Sequence, residues 1–296
     1  MRVGVIGLGR MGHAIAERLV ELGPVPVVWN RTPGKAAGLA GVVEATSPAD
    51  LAARSDVILS VLADDAAIEA VYGGPGGNPE GLCSADLAGK VVVEFCTTAP
   101  ATARALEARV AAVAGMFLEC PVGGTVGPAR NGQLLGLAGG SEAAFEAARP
   151  VLERLTRRLE HLGPVGRGSA MKLAINLPLM VYWAALGEAL GLALAEGVDP
   201  GLALDILTDS SGAIGAAKAR VPPIRDVLLG APPGAANFRL AGAIKDMRLM
   251  EALAAATGQP APVIEAARAR AEAAATAGFA DLDASFLGLF GKIDRR

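Results

Sequence analysis

Lys172 and Asn176 stand four residues apart in Gly163-Pro164-Val165-Gly166-Arg167-Gly168-Ser169-Ala170-Met171-Lys172-Leu173-Ala174-Ile175-Asn176. On a helix they share one face. An amine followed at once by Leu173, Ala174 and Ile175 is partly desolvated, which moves an ammonium towards the range where it exchanges a proton near neutrality. Beside an amide that can orient an oxygen, it forms a candidate general acid/base on a hydroxyl or carbonyl group. The same pattern also fits a lysine snorkelling from a packed helix. Other candidates are few. The two histidines are His13, which reads as a helix-surface residue, and His161, at the expected domain junction. No G-x-S-x-G segment supports a serine nucleophile. Cys83, Cys96 and Cys120 have neither the CxxC spacing of a zinc site nor the density of a disulfide scaffold, so no metal is expected and the thiols read as reduced and buried.

A second chemistry is written near the start of the chain. The apolar run Val3-Gly4-Val5-Ile6 leads into Gly7-Leu8-Gly9-Arg10-Met11-Gly12 and then into the helical stretch Ala14-Ile15-Ala16-Glu17-Arg18-Leu19. Strand, glycine turn and helix in this order suit a dinucleotide: the first glycine makes the turn, the second admits a pyrophosphate to backbone N–H groups, and the third lets helix pack on strand. A second strand, Val25 to Trp29, ends in Asn30-Arg31-Thr32, with no carboxylate until Glu44. An acidic residue there serves a ribose 2′-hydroxyl, whereas a guanidinium with two small polar groups suits a 2′-phosphate. These residues therefore predict NADP(H) in preference to NAD(H), the alternative for Arg31 being a solvated loop position.

The elements that position these groups divide the chain in two. Up to about residue 160, β-branched runs at 57–61, 91–95 and 134–138 alternate with Ala-rich helical stretches, the pattern of a mostly parallel sheet covered on both faces. Ligands then bind at the carboxyl ends of the strands. Beyond Arg167 helical segments take over, around 169–196, 200–209, 239–256, 260–277 and 283–290, with a Pro- and Gly-rich linker at 230–235. The expected domains are 1–162 and 163–296. Pro178 is expected to kink or interrupt the long helix, because proline removes a backbone hydrogen bond.

At 296 residues, 52% hydrophobic, 19% charged and with a net charge of −3, the chain has the composition of a globular protein without an electrostatic footprint for nucleic acid. The stretch from Leu173 to Ala195 approaches the length of a membrane span but is interrupted by Asn176, Pro178 and Glu188 and lacks flanking charge asymmetry. It reads instead as a helix buried between domains or subunits. No secretory signal is visible, so a cytoplasmic location is expected.

Five ordered segments resemble the β-hydroxyacid dehydrogenase family, the 3-hydroxyisobutyrate dehydrogenases and their relatives, over the whole length. They are Gly7-Leu8-Gly9-x-Met11-Gly12; Glu94-Phe95-Cys96-Thr97, similar to D-x-S-T; Glu119-Cys120-Pro121-Val122-Gly123-Gly124-Thr125, similar to D-A-P-V-S-G-G; the G-x-G-x-x-x-K-x-x-x-N run from Gly166 to Asn176; and Lys245-Asp246-Met247-Arg248-Leu249. The resemblance implies an N-terminal Rossmann doubly wound parallel sheet, an all-helical C-terminal domain reached through a long interdomain helix, and a homodimer or homotetramer. It also implies hydride transfer between nicotinamide and a small hydroxy acid or aldehyde acid. Lys172 becomes the general acid/base, Asn176 a substrate ligand, and Gly123, Gly124 and Thr125 the binders of the substrate carboxylate. Gly7, Leu8, Gly9, Arg10, Met11, Gly12, Asn30, Arg31, Thr32, Leu62, Ala63, Thr97 and Lys245 fall to the cofactor. Asn30-Arg31-Thr32 also resembles the NADPH-using glyoxylate and succinic semialdehyde reductases of the family.

The departures bear on the substrate. Gly123 stands where similar enzymes have serine, and Thr125 where they have glycine, so the expected hydroxyl has moved or gone. Cys96 for Ser, Glu94 for Asp and Ala63 for Pro are milder changes near the cofactor. Two other readings share the architecture. An imine reductase commonly carries Asp or Tyr at the lysine position, and a non-catalytic nucleotide-binding assembly protein typically loses that lysine; Lys172 argues against both.

Overall fold

The computed structural model describes residues 1–23, 25–73 and 78–293. They form two compact units, Met1–Lys172 and Leu173–Arg296. In the first, the strands are β1 (Val3–Ile6), β2 (Val27–Trp29), β3 (Val43–Glu44), β4 (Val57–Ser60), β5 (Val91–Glu94), β6 (Met116–Glu119), β7 (Val122–Gly123), β8 (Leu134–Gly140) and β9 (Thr156–His161). Their order is β3-β2-β1-β4-β5-β6-β8-β7, with β9 beside β8. From β3 to β6 every pairing is parallel, and β8 runs antiparallel to β6 and β7. The order 3-2-1-4-5-6 of the parallel part defines the doubly wound nucleotide fold.

Alternate strand residues build two cores. Val3, Val5, Val57, Leu59, Val91 and Val93 pack with α1 (Arg10–Leu22) on one face, whereas Ile6, Ile58 and Val92 pack on the other against α2 (Pro48–Ala53), α3 (Asp65–Tyr72) and α4 (Pro100–Ala111). A short α5 (Val126–Arg130) and α6 (Glu142–Leu152) complete the first face. Side-chain caps start several of these helices: Ser47 accepts from Asp50 N–H, Asp64 from Ala67 N–H and Ser141 from Ala144 N–H. Each satisfies a donor that the helix itself leaves open.

The second unit is helical. It comprises α7 (Arg167–Ala195), whose first turns up to Lys172 belong to the first unit, α8 (Pro200–Asp209), α9 (Ala217–Leu228), α10 (Leu240–Thr257) and α11 (Pro262–Ala274), followed by a 3-10 turn at Ala284–Leu289. The sequence reading set the boundary ahead of α7; here the start of that helix is held by hydrogen bonds from the first unit's sheet. Proline does not interrupt α7, which continues through Pro178. Among the described residues it is the one helix long and apolar enough to cross a membrane, but Leu173, Met180, Trp183, Leu186 and Leu190 lie in the core of the second unit.

Two differences from the sequence reading have local causes. α9 falls outside the expected helical segments and contains Pro222 and Pro223, yet Ala217, Val221, Ile224 and Val227 recur at helical spacing and are buried. Burial of that stripe outweighs the hydrogen bonds that the prolines forgo. The segment expected as helix to 277 ends instead in a π-helical turn, Ala275–Phe279, where Gly278 takes φ 93°.

Asp283 fastens the end of the second unit. Its carboxylate accepts from Arg220 at 3.0 Å, from the N–H groups of Asn237, Phe238 and Ser285, and from the Ser285 hydroxyl at 2.7 Å. Burial raises its pKa, but Arg220, Ser285 and the backbone donors outweigh burial and hold it below the usual aspartate range. Because the folded value is the lower one, this contribution is complete above the unfolded aspartate pKa of about 3.9 and is lost as the pH falls through the folded value. Asp283→Ala should cost ~3 kcal/mol at pH 7 by leaving a guanidinium and several N–H groups unpaired. Urea unfolding of both proteins at pH 7 and at pH 3 should show the gap narrowing at the lower pH.

Candidate active site

The glycine turn sits at the carboxyl end of β1. Gly7, at φ 90°, donates to Trp29 C=O at 2.9 Å, and a side chain there would run into the Val61 carbonyl. A Cβ at Gly12 would overlap Gly7 C=O, so α1 can pack this closely only on glycine. Gly9 differs from both: a Cβ at this position would meet open space. It is the N-cap of α1, with no side-chain cap and no acidic residue in the first turn. A helix start that carries no capping side chain and opens outward is suited to a phosphate. Leu8 is buried, Met11 half-buried against the core, and Arg10 exposed.

Asn30 locks this turn to the loop after β2. Its Oδ1 accepts from Leu8 N–H at 2.8 Å and its Nδ2 donates to Thr32 C=O at 2.9 Å. Arg31 and Thr32 are exposed beside it. His13 lies within 3.2 Å of Ala37 C=O through Nε2, which ties α1 to the same loop. Leu62 and Ala63 follow β4, and Thr97 follows β5, so four loops separated in sequence meet the same edge of the sheet. That edge is where parallel strands direct their ligands.

Glu94 and Glu119 close β5 and β6 and are both buried. Tyr72, fully buried, donates its hydroxyl to Glu94 at 2.9 Å, and Glu94 also accepts from Cys96 N–H at 2.8 Å, which fixes the turn carrying Thr97. Burial and the Glu94 carboxylate push the Tyr72 phenol well above its ordinary range. Glu119 reaches the start of α7. Its Oε1 accepts from Gly166 N–H at 2.5 Å and Gly168 N–H at 2.9 Å, and its Oε2 from Ser169 N–H at 3.2 Å and from the Ser169 hydroxyl. Lys172 follows one turn later, half-buried.

Four residues beyond Glu119, β7 delivers Gly123, Gly124 and Thr125. Gly124 adopts φ 127°, and Thr125 is the N-cap of α5 without using its side chain as the cap. At Gly123 an added Cβ would stand 3.4 Å from Leu135 Cβ, so the position tolerates a small side chain.

In the second unit, Asn176 donates from Nδ2 to Asp246 Oδ2 at 3.0 Å, and Lys245 Nζ lies 3.2 Å from Asp246 Oδ1. Asn176 and Asp246 are buried and Lys245 is half-buried. Glu94, Glu119 and Asp246 were quoted in motifs without a binding or catalytic role. No group of three or more His, Cys, Asp or Glu able to hold a metal occurs among the described residues.

A doubly wound sheet with a glycine turn, joined in one chain to a helical unit that begins just beyond a half-buried lysine, defines a nicotinamide-dependent dehydrogenase architecture. Residues 2–163 match the family model described as the NAD binding domain of 6-phosphogluconate dehydrogenase, and residues 166–288 the one described as NAD-binding of NADP-dependent 3-hydroxyisobutyrate dehydrogenase. The chain is 33% identical over 287 residues to glyoxylate/succinic semialdehyde reductase 1 of Arabidopsis thaliana, covering 96% of each protein. Among solved structures it is similar to Mycobacterium tuberculosis 3-hydroxyisobutyrate dehydrogenase with L-serine, at TM-score 0.82 and 29% identity, covering 99% of this chain and 100% of that one. It is also similar to Psf3 in complex with NADP+ and 2-OPP, at TM-score 0.82 and 27% identity, covering 97% of this chain and 99% of the other. The chain belongs to the β-hydroxyacid dehydrogenase family.

The glycine turn fits a nicotinamide dinucleotide on the chain's own geometry, with an open helix start at Gly9 and close approaches at Gly7 and Gly12. Gly12→Ala should abolish cofactor binding or unfold the first unit, whereas Gly9→Ala should fold normally and weaken binding by crowding the phosphates. Titration of nicotinamide fluorescence alongside thermal unfolding separates the two effects.

Proposed function

We propose that the protein is an NADP(H)-dependent oxidoreductase that interconverts a small 3-hydroxy acid, or another short hydroxy acid, and its aldehyde or keto acid. The observation that carries this reading is the placement of Lys172, half-buried on the first turns of α7 and in the same compact unit as the glycine turn. In the oxidation, Lys172 takes the substrate hydroxyl proton on Nζ; in the reduction it returns that proton to the carbonyl oxygen. The bound nicotinamide supplies or accepts the hydride. An ammonium beside the oxygen also stabilises charge that develops as the carbonyl forms or is consumed. Backbone N–H groups of Gly123, Gly124 and Thr125 hold the substrate carboxylate, Asn176 orients the substrate, and Thr97 and Lys245 contact the cofactor.

The preference for NADP(H) rests on the loop after β2. Arg31 is exposed and the strand end carries no carboxylate, while the Asn30 amide is taken up in joining two loops. A guanidinium there matches a 2′-phosphate, and an NAD site would place an acid there instead. The substrate class rests on the relatives, of which one is named for glyoxylate and succinic semialdehyde reduction. Without a hydroxyl at Gly123, the carboxylate is held by main-chain donors and the unused Thr125 hydroxyl. Assembly into a dimer or tetramer belongs to the same proposal and is supported by exposed Leu192, Leu202 and Ile206 on the second unit. Such side chains are candidates for burial against another subunit.

Turnover of glyoxylate, succinic semialdehyde, 3-hydroxyisobutyrate, 3-hydroxypropionate and serine with each cofactor tests the proposal. Lys172→Ala should lower kcat ~10²- to 10⁴-fold, the usual worth of a positioned acid/base, with cofactor affinity retained. Tight NADPH binding without turnover of any acid would overturn the substrate class. Arg31→Asp should erase the preference for NADPH, with KM for NADPH rising ~10- to 100-fold through loss of a charge-assisted bond and introduction of a repulsive charge. An unchanged ratio of NADPH to NADH efficiency would remove Arg31 from cofactor selection.

A further inference from the structure

Glu119 is 1% exposed and receives four donors, all from three residues, Gly166, Gly168 and Ser169, at the start of α7. Three of the four are backbone N–H groups, which can only donate, so the side chain is held chiefly as a bond-accepting anchor. Burial pushes its carboxyl above the usual range, with the Ser169 hydroxyl and the N–H groups of Gly166, Gly168 and Ser169 pulling the other way. The packing around it leaves no slack. A Cβ at Gly139 would overlap Glu119 Oε1, and one at Gly168 would overlap Leu137 C=O. The contact extends to a third loop, since Thr98 Oγ1 lies 3.5 Å from Ser169 Oγ.

Gly168 and Ser169 stand four and three residues before Lys172, on the same helical face. Glu119 itself ends β6, four residues before the Gly123-Gly124-Thr125 loop. Glu119 thus ties the strand that leads to the proposed carboxylate-binding loop to the helix turn that carries the proposed acid/base, and Ser169 extends the contact to Thr98 in the loop after β5. We infer that Glu119 is the positioning residue of Lys172, setting where its ammonium stands relative to the 123–125 loop. The inference rests on the proposed role of Lys172. A carboxylate that fixes a proton-transfer group from behind acts on the chemical step, and a misplacement of about 1 Å in such a group can cost ~10²-fold.

Glu119→Gln keeps the size and one acceptor oxygen but turns an amide NH2 towards donors that already fill the site. With the holoenzyme and NADPH, kcat should fall 10- to 100-fold while KM for NADPH changes less than threefold and the melting temperature drops by only a few degrees. Ser169→Ala, which removes one of the four donors and leaves the carboxylate in place, should show a smaller fall of the same kind and keeps the test open if the glutamine variant does not fold. Unchanged kcat in a folded variant overturns the inference, as does a loss of activity that only tracks loss of cofactor binding. Should the wild-type protein turn over no hydroxy acid, the proposed function fails while the positioning role is still read directly. Labelling of Lys172 by an amine-reactive reagent, mapped by peptide mass with exposed Lys218 as internal reference, should change at least threefold in Glu119→Gln. An unchanged Lys172 to Lys218 ratio overturns it.

Discussion

Burying an ionisable carboxyl group at the end of β6 is unfavourable unless hydrogen bonds compensate it, and the chain supplies them from the start of α7. That exchange satisfies N–H groups that an isolated helix start would leave open, and it seats the helix on the carboxyl edge of the sheet. The glycines around it follow from the same constraint, because neither Gly139 nor Gly168 has room for a side chain beside the carboxylate and the β8 backbone. Glu94 repeats the device one strand earlier, taking Tyr72 and the Cys96 N–H to fix the turn that carries Thr97. Acidic strand ends therefore organise the two loops that follow β5 and β6.

The glycine turn solves the opposite problem. Where Glu119 fills a space with donors, Gly7, Gly9 and Gly12 keep a space clear, two by close backbone approach and one by facing outward. The turn is then held in place by an amide, since Asn30 spans from Leu8 to Thr32. A polar residue at the end of β2 thus has a structural task, and the proposed selection between cofactors falls to Arg31 beside it. The Asn30 tie holds this loop to the glycine turn without an acidic residue at the strand end.

The second unit is stabilised differently. Its core is apolar and built around Trp183, Met247 and Leu289, and Asp283 gathers Arg220, Asn237, Phe238 and Ser285 at one end. Within it, buried Asn176 and Asp246 and half-buried Lys245 form a polar cluster in otherwise apolar packing. Polar groups enclosed in this way constrain one another's rotamers, which suits residues proposed to meet substrate and cofactor.

Much of this was legible in the residues alone. The glycine turn is local, its three positions lie within six residues, and each answers to a steric requirement that only the backbone nearby imposes. The parallel sheet was legible because apolar strand runs recur between helical stretches, and the spacing of Lys172 and Asn176 fits their place on one helix, α7. α9 was not among the expected helices: it carries a proline pair, and the buried stripe from Ala217 to Val227 sustains it. Sequence by itself determined the fold class, the cofactor cradle and the candidate acid/base, all set by short-range stereochemistry or periodicity. Tertiary structure decided that Glu119 anchors α7, that Asn30 is a loop tie and that Asp246 joins Asn176 to Lys245. In each case the partners lie far apart in the chain, and only folding brings a donor to the acceptor that burial obliges it to find.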